Sequence, residues 1–297
     1  MSQSAIPVHP SGEQGQSAAV TSPVRRLTID DLPSCLHLSE DRSWPREEHK
    51  WRLLFEVGEV YGIDDPDGGL AGAVVSTRYG REIVAISMML VARRHERRGL
   101  GGRLMAHALE HSGTASACLT ATDYGRPLYE RIGFRTIGQC STYRGEFQPQ
   151  TGDPLQPISR HMVPADLPAV LALDAEVFGA PRTALLTRLP SFSEQFRVVE
   201  GPKGIVGYGG AWRNVDSTVL GPVIAADTNT ALALLADLAA AALGPLRLDL
   251  DHRRPELITW AEAHGLRYGF TTAVMVRGAP PSGDPDRLFT PVMLALG

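Results

Sequence analysis

The chain has 297 residues, 43% hydrophobic and 21% charged, with a formal net charge of −4, an ordinary soluble globular composition that excludes a fibre or wholesale disorder and leaves room for about two domains. The acidic balance argues against a nucleic-acid binder, although a local basic loop could still take a small anionic ligand. No apolar run approaches the roughly 20 residues that span a bilayer, so no membrane association is expected, and three scattered cysteines without a CxxC pair (Cys35, Cys118, Cys140) suit a reducing, cytoplasmic location.

In chain order, residues 1–22 are rich in Ser, Gln, Gly and Pro, lack the pattern of a signal peptide, and read as a flexible tail. Hydrophobic periods then predict a strand at 24–28, helices at 30–38 and 45–56, and strands at 58–63, 69–78 and 82–91. A helix at 101–112 follows, then a buried strand at 116–121, a short helix at 127–132 and a closing strand at 134–143. Strands on both sides of the 101–112 helix predict a right-handed crossover between parallel neighbours, within a mixed α/β sheet of α+β character.

The pattern then repeats. Asp31-Leu-Pro33 is echoed by Asp166-Leu-Pro168 at an offset of 135, the ERIGF ending at Phe134 by the EAHGL ending at Leu266 at 132, and the TYRG ending at Gly145 by the MVRG ending at Gly278 at 133. Two copies of one unit follow, at residues 23–147 and 158–278, joined by a Pro- and Gly-containing linker at 148–157. Residues 279–297 remain as a C-terminal extension.

In the first copy, the apolar strand ending at Val91 runs into ERRGLGG, Glu96 to Gly102, at the head of a helix. Free N–H groups and the helix dipole favour an anion there, and Gly99, Gly101 and Gly102 let the backbone approach it. Arg97 and Arg98 add charge suited to a diphosphate. No Gly-Lys-Ser/Thr follows as in a P-loop, and the third glycine of a dinucleotide fingerprint is missing. A solvated basic turn fits the loop alone equally well.

Residues 83–134 resemble the GNAT acetyltransferase superfamily. Its acetyl-CoA turn corresponds to ERRGLG, with Glu96 where the family usually has Gln or Arg, and its second motif to DYGRPLYERIGF, Asp123 to Phe134. The second copy is similar to the diverged GNAT domain of tandem bacterial members. The resemblance implies two tandem GNAT-like domains, each a mostly antiparallel sheet with one parallel pair and flanking helices. It implies acetyl-CoA as co-substrate with no metal, bound at Leu90, Val91, Arg97, Arg98, Gly99, Leu100, Gly101 and Gly102. Main-chain N–H near Leu90 would polarise the thioester, and Tyr129 would be the general acid; taken without its motif, that ring beside Leu128 and Ile132 reads rather as core.

No carboxylate stands on the strand ending at Val91, which leaves Glu40, Glu59, Glu82 and His95 as candidate bases. Met88 and Met89 are either core or acceptor-pocket lining. At the repeat offset the second copy has Ala231 or Leu232 for Gly99 and Ala261 for Tyr129, and its Asp227 or Thr228 suits a helix cap. Its Asp249-Leu-Asp-His252 reads as a solvated strand end rather than a metal site. The expected activity is transfer of an acetyl group to a small-molecule or peptide amine, with the second domain shaping the acceptor site. Transfer of another acyl group, activity residing in the second copy, or a non-catalytic acyl-CoA sensor or recruitment module are the alternatives; the oligomeric state is not legible.

Overall fold

A computed structural model describes residues 20–151 and 158–297; the expected tail up to residue 19 and linker residues 152–157 lie outside them. The first half contains β1 (Val24–Arg26), α1 (Leu32–Asp41), α2 (Glu48–Val57), β2 (Glu59–Asp64), β3 (Leu70–Tyr79), β4 (Ile83–Val91), α3 (Leu100–Ser112), β5 (Ser116–Ala121), α4 (Arg126–Arg131) and β6 (Arg135–Gly145). The second repeats this order as β7 (Arg160–His161), α5 (Leu167–Phe178), α6 (Thr183–Phe192), β8 (Gln195–Gly201), β9 (Gly204–Arg213), β10 (Thr218–Ala225), α7 (Thr228–Ala240), β11 (Leu246–Asp251), α8 (Pro255–Ala263) and β12 (Arg267–Arg277), and adds β13 (Leu288–Thr290).

The Asp-Leu-Pro echo has a local physical cause. The Asp31 carboxylate accepts the Thr28 N–H at 2.9 Å and pairs with Arg25 at 2.7 Å. Asp166 takes the Val163 N–H at 2.8 Å and pairs with Arg160 at 2.7 Å. Each aspartate closes a short 3₁₀ turn, and the proline falls in the first turn of the following helix, where its missing N–H costs nothing. Helix α1 therefore starts at Leu32, two residues later than the periodicity predicts. Val20 and Ser22, placed by the sequence in the tail, are instead strapped to α3, their carbonyls accepting from Arg103 at 2.9 and 2.5 Å.

Both halves contain the expected parallel pair. Strand β4 pairs with β5 over residues 83–85 and 116–118, and β10 pairs with β11 over 218–219 and 246–247. The closing strands, however, are exchanged. Strand β12 lies antiparallel to β5, from Ala273 opposite Ala121 to Arg277 opposite Ala117. Strand β6 crosses to β11, from Gly145 opposite Leu246 to Cys140 opposite Asp251, and β6 and β12 pair with each other in the middle. One thirteen-stranded sheet results.

The halves also share a core. One cluster joins α1 and α2 to α5 and α6 through Trp51, Leu54, Leu186 and Trp212, with Val292, Met293 and Leu296 from the C-terminal segment. A second lies under α3 and α4, and a third under α7 and α8. Each buried large side chain contributes roughly 1.5–3 kcal/mol, and the first cluster exists only when the halves meet. No helix among the described residues is long and apolar enough to cross a membrane, and the three cysteines are free.

Candidate active site

Side chains of β4 alternate: Ile83 and Ala85 face the shared core, Val84 and Ile86 the α3 side. The alternation breaks where Ala73 opposes Leu90 but Val75 opposes Ser87, so β4 carries an extra residue there. Met88 takes φ 47, and the bulge bends β4 away from its neighbour. Pairing with β5 stops at Ala85 and Cys118. The strands splay, and a cleft of about 820 Å³ opens between them.

The structure brings most of the sequence-predicted residues to this cleft. Leu90, Val91, Arg97, Gly99, Leu100, Gly101, Gly102 and Tyr129 line it, as do Met88, Met89 and His95; Arg98 does not. Arg97 and Gly99 adopt φ 58 and 81, so the loop turns twice through the left-handed region, and the adjacent arginines diverge. Gly99 caps α3 without a side-chain acceptor, and Arg103 is the first residue to bond back, to the Gly99 carbonyl. The N–H groups of Leu100, Gly101 and Gly102 thus find no partner among the described residues. A Cβ on Gly99 or Gly102 would meet nothing within 4 Å, whereas on Gly101 it would come within 3.1 Å of Leu128 Cδ2. The open backbone is therefore at Gly99 and Gly102, and Gly101 serves close packing onto α4.

Tyr129 on α4 is 8% exposed, and its hydroxyl has no hydrogen-bond partner among the described residues. Burial pushes it up to about 12. Of the candidate bases, Glu40 pairs with Arg46, Glu59 bonds Tyr61 and Arg26, and Glu82 caps the β3–β4 turn; none lines the cleft. Buried His95 holds Asp65 through Nε2 at 2.5 Å, leaving Nδ1 unpartnered. The cleft instead gathers residues to which the sequence assigned no role: Arg42, Trp44, Ser87 and Thr120, with Asp123 and Tyr124 from the start of the second motif. Glu96 forms an ion pair with Arg42, whose guanidinium holds the carboxyl below its usual range, and Arg42 sits 5.4 Å from the Tyr124 ring centre. Only the departure of Glu96 from the family pattern hinted at this bridge.

The second half differs at each equivalent position. Ala231 and Ala261 are fully buried. Asp227 caps α7, accepting the Thr230 N–H at 2.8 Å, so a carboxylate already occupies the helix N-terminus and repels a second anion. The expected solvated strand end is also corrected. Asp249 is 2% exposed, bonded by Thr142 and Arg247, because the exchanged β6 covers it. His252 Nε2 lies 2.6 Å from Ser141 Oγ, and among the described residues no three metal-ligating side chains converge.

Comparison with known proteins agrees with this geometry. Sequence profiles described as Acetyltransferase (GNAT) domain match residues 61–145 and 170–290. The N-acetyltransferase YitH of Bacillus subtilis, itself uncharacterised, is 28% identical over 236 residues, covering 78% of this chain and 83% of that protein. A Pyrococcus horikoshii structure superposes with TM-score 0.78 at 18% identity over 98% of this chain and 99% of the other. A tandem GNAT protein from the clavulanic acid biosynthesis pathway gives 0.62 at 13% identity over 87% and 99%. The chain belongs to the GNAT acetyltransferase superfamily and carries two such domains in tandem, the second of them diverged.

Proposed function

We propose that the chain transfers an acetyl group from acetyl-CoA directly to an amine in the cleft between β4 and β5, with the second half shaping the acceptor side. The observation that carries this reading is the meeting, in one cleft, of an uncapped glycine turn and a largely buried tyrosine whose hydroxyl has no partner among the described residues. Acetyl-CoA, as co-substrate, supplies the thioester carbonyl and a thiolate leaving group. Arg97 and the N–H groups of Leu100, Gly101 and Gly102 hold its diphosphate. Main-chain N–H near Leu90 polarises the carbonyl. The amine nitrogen bonds to the carbonyl carbon, the carbon–sulfur bond breaks, and Tyr129 gives its proton to the departing sulfur. Burial keeps that phenol protonated at neutral pH, so the proton is in place when the thiolate departs.

At the mouth, Asp123 has no ion pair among the described residues, unlike Glu96. It attracts the ammonium form of the acceptor and passes the released proton to solvent. The second half braces this side. Asn214 donates to Glu47 at 2.8 Å, and His49 stacks on Phe192 at 4.0 Å; both steady the start of α2, beside the loop that presents Arg42 and Trp44. Incubation with acetyl-CoA and a panel of amines, followed by thiol release and product mass, tests the reading. Calorimetry is expected to find one acetyl-CoA per chain. Binding without thiol release would leave a sensor instead, and two sites per chain would contradict the assignment to the first half.

A further inference from the structure

The turn that receives the diphosphate carries a carboxylate of its own. Glu96 stands three residues before Gly99 and, like Arg97, lines the cleft; an anion at that place repels another. The four arginines between positions 93 and 98 bring the cleft less positive charge than their number suggests. Arg93 is engaged by the α1–α2 loop: its N–H donates to Asp41 Oδ2 at 2.7 Å, its Nε to the Asp41 carbonyl at 2.5 Å and its Nη2 to Ser43 Oγ at 2.5 Å. Arg94 donates through Nε to Asp65 Oδ2 at 2.8 Å. Neither lines the cleft, nor does Arg98, which leaves Arg97 alone beside Glu96.

The compensating charge comes from 54 positions away. The Arg42 N–H closes α1 by donating to the Leu38 and Ser39 carbonyls at 3.2 and 3.0 Å, and Ser43 beside it turns the chain at φ 60. From this fixed backbone the guanidinium, 18% exposed, reaches the Glu96 carboxylate, 33% exposed. Both side chains line the cleft, and their partial shielding from water makes each charge felt more strongly than on an open surface. Among the described residues, the lining side chains charged at neutral pH are Arg42, Arg97 and Arg131 against Glu96 and Asp123. Without Arg42 the cleft would hold as many anions as cations. With it, the balance is positive.

We propose that Arg42 is a positioning residue for acetyl-CoA: by neutralising Glu96 from the far side of the cleft it keeps the glycine turn attractive to the diphosphate. This rests on the reading of the cleft as an acetyl-CoA site. Arg42 acts through Glu96, so its worth depends on that carboxylate being present. The three bonds from Arg93 to Asp41 and Ser43 tie the α1–α2 loop to the turn independently of the pair, so that removing Arg42 alters the charge at the turn while the two loops stay joined.

The test compares Arg42→Ala, Glu96→Gln and the double variant Arg42→Ala/Glu96→Gln with wild type, reading acetyl-CoA affinity by calorimetry at low and high salt, together with Tm. Arg42→Ala exposes the carboxylate and should weaken binding about tenfold, within the range that one charge exerts near a helix N-terminus. Glu96→Gln frees the guanidinium and should tighten binding. The double variant, with the same net charge as the wild-type pair, should return to within about twofold of wild type. High salt should narrow all of these differences. A residue that only buttressed the loop would lower Tm, and the double variant would then bind no better than Arg42→Ala; that result, or weaker binding by Glu96→Gln, overturns the proposal. Failure of the underlying reading shows separately, as a wild-type protein that binds no acetyl-CoA, and it removes the proposal with it.

Discussion

Replacing Asp174 with alanine should destabilise the chain, whose halves share one core and one sheet, more than any change at the cleft. The Arg182 guanidinium and the Asp174 carboxylate are 0% and 1% exposed and meet at 2.6 and 3.1 Å. Burial works against the Arg182 charge, but Asp174 more than offsets it and holds the guanidinium above its usual value. Tyr208 also donates to Asp174, and Phe178 lies 4.2 Å beneath the guanidinium. Removing the carboxylate leaves a buried cation with one carbonyl and two ring faces in place of its counter-ion, a loss of about 3–5 kcal/mol. With an unfolding entropy of about 2.1 cal/mol/K per residue over 297 residues, near 0.6 kcal/mol/K in total, Tm should fall by about 5–8 °C. Urea unfolding followed by circular dichroism measures the loss. The double variant Asp174→Ala/Arg182→Met, with no charge left to strand, should recover more than half of it. A single variant costing under about 1 kcal/mol, or a double variant less stable than the single, would refute the argument.

Three further outcomes are expected. Gly102→Val keeps Tm or raises it slightly, since valine is the better helix former by a few tenths of a kcal/mol, yet weakens acetyl-CoA binding by calorimetry, because its side chain projects into open cleft; unchanged affinity would remove this stretch from the binding surface. Tyr129→Phe loses roughly 100- to 10,000-fold in kcat at unchanged acetyl-CoA affinity; the wild-type hydroxyl, raised to about 12 by burial, should impose no alkaline loss of kcat below about pH 10, so such a loss that Tyr129→Phe leaves in place would assign it to another group. Asp166, lowered to about 2 by Arg160 and then by the Val163 N–H, contributes stability that is whole above its unfolded value near 4 and is lost as pH falls through about 2. Acid unfolding of Asp166→Asn should lack that component, and an unaltered acid profile would contradict it.

How far the chain could be read in advance follows from the range of each interaction. Periods of 2 and 3.6 are local, so β4, α3 and β5 fall within a residue of where the hydrophobic pattern places them. The glycine turn and Tyr129 were equally legible, being contiguous motifs that lie on the two sides of one parallel strand pair. The duplication was legible as well, because the Asp31 and Asp166 turns repeat the same short-range hydrogen bonds.

Side-chain direction inside the turn was not legible. Arg97 and Arg98 are identical as letters, but the left-handed φ of Arg97 sends only one of them to the cleft. The Arg42–Glu96 bridge joins residues 54 positions apart, and no local pattern announces it. The same holds for the exchange of β6 and β12. An apolar strand after a short helix states that it will be buried, not against which of two equivalent sheet edges; in a duplicated chain both edges present the same pattern. That choice buries Asp249 and merges two sheets into one. The second half shows the same division: the loss of its glycines and tyrosine is written in the chain, whereas the pairing of β13 with β10, Thr290 opposite Val223 and Leu288 opposite Ile224, depends on a return from 63 residues beyond Ala225, which packing of Phe289 and strand pairing alone bring about.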